Sequence, residues 1–247
     1  MIKAIFSTII YDPIYNALVL LLDLLPWADI GVVVIILTLI IKFILSPLSI
    51  KAVKTQLAVK EIEPDVKKIR EKYKDDRETQ AMKMMELYKE KGVKPFSGFL
   101  VLLLQIPIIL GLYWVILKGG FPIVDESILY SFIPTPENIN MVFLGLVTVS
   151  SGSIILALLT GVSQFFQMQL ALPKDDDDKD DDSLKAGMMR SMKTQMRYIF
   201  PLFVAFFAYK LTAAIALYWI TSNLFHIGQE LYVRRYVKGG TPEEVPA

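Results

Sequence analysis

The sequence predicts an all-α membrane protein with five transmembrane helices, an N-terminal interfacial amphipathic helix and a cytoplasmic helical hairpin. Three observations carry that prediction. Charge is absent from Ile30 to Ile41, Gly98 to Leu117, Asn138 to Pro173 and Tyr198 to Tyr209. A hydrocarbon core about 30 Å thick takes about 20 apolar residues of helix, a length these runs approach or exceed. Next, 22 of the 26 Lys and Arg fall in three segments, 51–96, 171–197 and the tail after 233. Finally, 119–152 carries none of them but holds Asp125, Glu126 and Glu137. Basic loops are retained in the cytoplasm. The first three segments therefore face inward and 119–152 outward, with the N-terminus outside and the C-terminus cytoplasmic in the cell (plasma) membrane.

The 247 residues are 54% hydrophobic and 21% charged, with a mean hydropathy of +0.48. The distribution of charge excludes disorder and a soluble enzyme more firmly than these averages do. A net charge of +1 gives no general attraction to nucleic acid, and no specific nucleic-acid partner is expected. Zero cysteines exclude disulfides, thiolate metal sites and a cysteine nucleophile. One histidine, His226, cannot build a histidine metal cluster, and no aspartate lies inside a span to pair for acid–base work. No enzyme activity, catalytic residue, metal or cofactor is expected.

Taken in order, residues 1–29 form the extracytoplasmic interfacial helix. Asp12, Asn16 and Asp23 fall within about 40° at 100° per residue, and a helix with one narrow polar stripe lies in the interface more readily than it crosses. A removed signal peptide is the competing reading. Lys3 fits it, but no small-residue cleavage site follows the apolar stretch. The five-helix core occupies 30–236. Its first span, about Ile30 to Leu48, enters from outside, and Phe99 to Leu117 returns. The polar group Ser150-Ser151-Gly152-Ser153 breaks the next apolar run, leaving a span near Ser153 to Leu172. Basic residues at both ends of the last apolar region, Arg197 and Arg234-Arg235, require an even number of crossings. Two short helices, about 196–209 and 213–233, satisfy this by turning near Lys210-Leu211-Thr212. The first, at about 21 Å, implies local bilayer thinning. An acidic cytoplasmic loop spans 173–195 and a short cytoplasmic tail 237–247.

The segment 51–96 reads as a helical hairpin. Ile62, Val66, Ile69 and Tyr73 recur at helical spacing, Lys74-Asp75-Asp76 turns the chain, and Met82, Met85 and Tyr88 give the returning helix an apolar edge. Gly92 and Pro95 end it. A self-packed solvated hairpin explains this pattern. So does a basic surface that uses Met82, Met84 and Met85 for transient contacts, or that binds anionic lipid.

Lys42, in LIIKFILSP, is the sharpest single residue. A lysine at a helix centre costs about 2.5–3.5 kcal/mol on insertion scales. Lys42 is about 9 Å of helical rise from Leu48, so two readings stand: snorkelling to the interface, or a cation lining a water-filled cavity. Candidate polar neighbours are Gln105, Gln164, Gln167, Ser222 and Asn223, although hydrogen bonding between helices accounts for such amides equally well. Ser222 and His226 lie four residues apart, but neither sits in a nucleophile motif.

The stretch LIIKFILSPLSIKAVKTQLAVKEIEPDVKKIREKYKDD, followed by MELYKEKGVKPFSGFLVLLLQIPIILGLYWVI, resembles the YidC/Oxa family of membrane protein insertases. The closing MRYIFPLFVAFFAYKLTAAIALYWITSNLFHIGQELYVRR is similar to the family's last hairpin, and PIYNALVLLLDLLP to its interfacial helix. The likeness runs from about residue 10 to 236 and is to the short, Gram-positive type. It implies an insertase and chaperone that inserts and helps fold newly made integral membrane proteins. The implied route is a hydrophilic groove open to cytoplasm and lipid. Lys42 falls where the family carries a positive groove residue, usually arginine. Gln105, Gln164, Gln167 and Asn223 are the candidate polar groove residues, and Pro201, Tyr218 and Trp219 fall on positions that contact an inserting segment. Implied partners are nascent membrane proteins, membrane lipids and, further, the ribosome and the Sec translocon, with the chain acting as a monomer.

There are departures from the family pattern. Lysine replaces the planar arginine fork, Val101 stands where proline is common, and Thr212-Ala213-Ala214 replaces a Pro-x-Gly-like turn. The tail after Arg235 lacks a long basic extension, and a lipoprotein cysteine is absent. The run DDDDKDDD at 175–182 is foreign to the family. It reads as a solvated loop and coincides with a protease-tag string. The competing function is a small transporter or channel with Lys42 in its polar pathway.

Overall fold

The structure, a computed structural model, describes residues 5–93, 97–172, 191–192 and 194–236. The DDDDKDDD run and the tail 237–247 lie outside the described residues, as does Pro95. The protein is an all-α membrane protein with eight α-helices and one minimal β-hairpin among the described residues. The helices are α1 (Asp12–Leu24), α2 (Ile30–Glu61), α3 (Glu63–Lys72), α4 (Arg77–Glu90) and α5 (Ser97–Lys118). The strands β1 (Val142–Phe143) and β2 (Val147–Thr148) come next, followed by α6 (Ile154–Ala171), α7 (Phe200–Lys210) and α8 (Ala213–Tyr236). Ser7–Leu24, Ile30–Glu61 and Ile154–Ala171 are long and apolar enough to cross a membrane by length and composition. The chain divides into two compact units, 1–44 with 105–227, and 45–104 with 228–247.

Proline explains two local irregularities. π-Helical turns, Ser7–Tyr11 and Gln195–Ile199, lead directly into α1 and α7, and each of those helices has proline in its first turn, Pro13 and Pro201. Proline has no N–H to return to the carbonyl four residues back. The residue before it instead reaches back five residues, Asp12 N–H to Ser7 O and Phe200 N–H to Gln195 O. That widening is where a π turn costs least.

The core of the first unit is built from α1, the start of α2, the end of α5 and the start of α8. Tyr15, Leu18, Val19, Ile30, Val33, Val34, Val115 and Ile215 are fully buried there. The loop 119–152 is tied to the helices by polar anchors. The Tyr15 hydroxyl donates to Gly119 O at 3.1 Å and accepts from Asp125 N–H at 2.7 Å. Asn16 Nδ2 donates to Asp12 O (2.8 Å) and Ile128 O (2.9 Å), while its Oδ1 accepts from Tyr130 N–H (2.7 Å). Asn16 is only 1% exposed. The narrow polar stripe of α1 therefore turns partly inward at Asn16, because an amide can replace water with backbone groups of the loop.

The turn between α7 and α8 is held the same way, with Ala213 N–H on Ser151 O (2.7 Å) and Ala214 N–H on Val149 O (3.2 Å). Ala213 and Ala214 are fully buried, so the small residues that replace a Pro-x-Gly-like turn fill a crowded site. Ser153 caps α6 by accepting from Leu156 N–H. Along α6 and α7, Gly161 permits close approach: a Cβ there would lie 2.9 Å from Ala205 Cβ and 3.4 Å from Pro201 O. Their other faces expose Ile155, Leu158, Leu159, Phe166, Leu202, Phe203 and Phe206, the apolar surface that lipid, not water, accommodates.

In the second unit, α2 continues unbroken past the apolar stretch to Glu61, and the chain bends at Ile62, before Pro64 in the first turn of α3. Ile62, Val66 and Val93 are buried, with Ala58, Val59, Met84, Leu87 and Tyr88 packed against them. This corrects the expected edge of α4. Met82 and Met85 point outward, at 55% and 70% exposed, and Met84 with Leu87 makes the contact beside Tyr88. Spacing alone fixes a helix period but not which of two adjacent stripes faces in. Gln80 closes the hairpin turn, its amide donating to Arg70 O at 2.9 Å.

Asp76 caps α4. The Thr79 hydroxyl, then the Thr79 N–H at 3.1 Å, hold its carboxyl below the usual carboxylate range. A depressed value stabilises the cap fully above the unfolded carboxylate pKa of about 3.9, and the effect is lost as pH falls through the folded one. Amide exchange at Arg77–Gln80 is therefore expected to accelerate, relative to intrinsic rates, below about pH 4. An Asp76→Ala variant should exchange faster at neutral pH already.

Candidate functional site

Lys42 lies on α2 just before two outward residues. Phe43 and Ile44 are exposed, whereas Lys42 is 3% exposed. Its ammonium turns inward, donating to Gln105 Oε1 on α5 at 2.8 Å and approaching His226 Nε2 on α8 at 3.2 Å. The Tyr218 ring centroid is 5.9 Å away. Gln105 donates its Nε2 hydrogen to the Tyr218 hydroxyl, which fixes the amide so that its oxygen faces the cation. An ammonium has only donors, so this contact is a hydrogen bond when His226 is neutral with its proton on Nδ1 and its Nε2 accepts. Every described partner of this buried cation is neutral: an amide oxygen, an imidazole nitrogen and a phenol face.

That arrangement sorts the residues anticipated from the sequence. Gln105 and Tyr218 join Lys42. Gln164 and Gln167 bond each other at 2.7 Å along α6. Asn223 on α8 donates to Ser163 Oγ on α6 at 3.0 Å, with Ser163 in turn on Thr160 O, a bond between helices. Pro201 is buried beside Gly161, Tyr218 is 1% exposed and Trp219 is half-buried. These three do not form one exposed face, because Tyr218 is drawn inward by Gln105.

His226 is the partner that the sequence reading passed over. The available signal was a row on one helix face, Tyr218, Ser222 and His226 at i, i+4 and i+8. Ser222 Oγ is buried on that row.

Residues 23–240 match the model of a family described as "60Kd inner membrane protein". The chain belongs to the YidC/Oxa family of membrane protein insertases. A membrane protein insertase YidC from Clostridium tetani is 34% identical over 205 residues, covering 83% of this chain and 81% of the relative. The one from Fusobacterium nucleatum is 30% identical over 205 residues, covering 83% and 86%. The Streptomyces avermitilis insertase is 30% identical over 223 residues, and the match takes in 51% of its length. Within the YidC/Oxa family, this chain is a cell-membrane protein whose relatives' cargo is membrane protein.

Proposed function

We propose that this chain inserts newly made membrane proteins by drawing their polar, acidic tails into a hydrophilic groove that carries Lys42 and opens to cytoplasm and lipid. One observation supports this most: a buried ammonium satisfied by neutral groups alone. Such a cation retains its full charge toward an incoming anion. A carboxylate 4 Å from it gains about 4 kcal/mol at an effective dielectric of 20, before desolvation. That is enough to recruit a tail and small enough to release it. Gln105 and His226 hold the ammonium between substrates, and the carboxylate exchanges with them.

The proposed topology is five crossings by α2, α5, α6, α7 and α8, with the N-terminus outside, the C-terminus inside and α1 in the outer interface. The short α7 thins the bilayer beside the groove. The inserting segment leaves along the apolar faces of α6 and α7, and the basic hairpin meets nascent chain and lipid. No covalent step is needed.

The deciding experiment is reconstitution of the purified chain in proteoliposomes with a single-span reporter synthesised in situ. Protection of the acidic tail from added protease is the expected result; ion or solute flux without reporter insertion would replace this reading with a transporter. Hydration of the groove is read separately by thiol labelling of a Lys42→Cys variant in the otherwise cysteine-free chain.

The contact with His226 yields its own expectation. His226→Leu removes one acceptor, worth about 1 kcal/mol, and should lower insertion of acidic-tail reporters several-fold. His226→Gln, which keeps an acceptor, should restore much of it. In a Lys42→Ala background the His226→Leu change should add little, as coupled residues require.

A further inference from the structure

The β-hairpin of the 119–152 loop pairs Val142 with Thr148 and Phe143 with Val147, leaving Leu144-Gly145-Leu146 as its tip. Leu144 and Gly145 both have positive φ, 49° and 71°. Turns of this kind ordinarily take Asn, Asp or Gly, because a left-handed backbone brings a larger side chain against its own carbonyl. Here a leucine takes that strain and presents its side chain outward: Leu144 is 65% exposed and Leu146 83%. No charged residue occurs from Asn138 to Pro173.

The position of the tip says what covers it. Leu144 N–H donates to Asp29 Oδ2 at 3.0 Å, and Ile30 N–H donates to Asn140 O at 3.0 Å. Phe143 packs its ring on Gly31, where a Cβ would collide with it. The tip is thus fastened to the first residues of α2, where the charge-free apolar stretch begins. Trp27, exposed two residues before Asp29, is the residue type that settles at a membrane–water boundary.

We propose that the Leu144–Leu146 tip is a lipid anchor, seated in the interfacial layer of the bilayer on the side of the 119–152 loop, where with Trp27 it fixes the depth at which α2 begins. Insertase activity is not needed for this inference.

The test uses the full chain in phosphatidylcholine–phosphatidylglycerol proteoliposomes, with a polarity-sensitive fluorophore on a single cysteine. Leu146→Cys carries the probe, and Glu137→Cys, an exposed position in the same loop, is the aqueous control. The expected result is blue-shifted emission at 146, quenched by lipids brominated high on the acyl chain and protected from aqueous iodide, with the reverse at 137. Water-like emission at 146 with full iodide quenching overturns the proposal. Protection from both quenchers also overturns it, since a second copy or another protein would then cover the tip. A Leu144→Asn variant relieves the backbone strain and should keep the fold. Its probe at 146 should move toward water, and an unchanged probe there would assign the anchoring to Leu146 and Trp27 without Leu144, against the proposal as stated.

Discussion

A Lys42→Ala variant should lose insertion of reporters with acidic tails while reporters with neutral tails insert nearly as before. The expected loss is on the order of 10- to 100-fold, the part of about 4 kcal/mol of attraction that survives desolvation of both charges. Lys42→Arg should retain activity, since charge rather than a particular fork geometry does the recruiting, although the planar head must fit beside Gln105 and His226. The variant should fold. Alanine removes a donor from two neutral acceptors, and the Gln105 amide keeps its bond to Tyr218. Insertion is measured by protease protection, with thermal unfolding in detergent as the check on folding. Wild-type insertion of acidic tails by a folded Lys42→Ala protein would eliminate the electrostatic mechanism.

Asn16→Leu should destabilise the first unit by about 2–6 kcal/mol, because the Tyr130 N–H and Ile128 carbonyl both lose their partner at about 1–3 kcal/mol each. Leucine resembles asparagine in size, so packing changes little and the lost hydrogen bonds dominate. The effect should be local first, with faster amide exchange at Ile128–Tyr130 before any change at α6. Asn16→Asp keeps the acceptor for Tyr130 N–H but presents an oxygen to the Ile128 carbonyl, and should be intermediate or worse. An Asn16→Leu protein with unchanged melting temperature and loop exchange would show that the loop is held elsewhere.

These two residues illustrate what was legible beforehand. Lys42 stood out because a lone charge in an apolar run costs free energy wherever it goes. Its surroundings did not, since Gln105, His226 and Tyr218 are 63 to 184 residues away in the chain. Nothing in sequence spacing distinguishes a glutamine that meets a lysine from Gln164 and Gln167, which meet each other. The angle of Asn16 on the α1 wheel puts it on a narrow polar stripe, which suits an interfacial helix but does not say what the amide meets. The loop 119–152 supplies backbone partners that make a buried position habitable for an amide. The outward turn of Met82 and Met85 has the same origin: α4 carries apolar residues on adjacent stripes, and only the position of Ile62 and Val66 selects one.

The amino-acid order alone determined the helical membrane class, the family, the turn at 210–212, the break at 150–153 and the one cation worth following. Those properties depend on runs, breaks and charge, which are local and act over one or two turns of chain. The tertiary structure decided which polar groups satisfy that cation, that Tyr218 faces inward, that a loop closes over α1, and that a strained leucine forms the hairpin tip. Each of these depends on which distant backbone or side chain fills the remaining hydrogen-bonding valence, and where water is excluded that choice is made by packing.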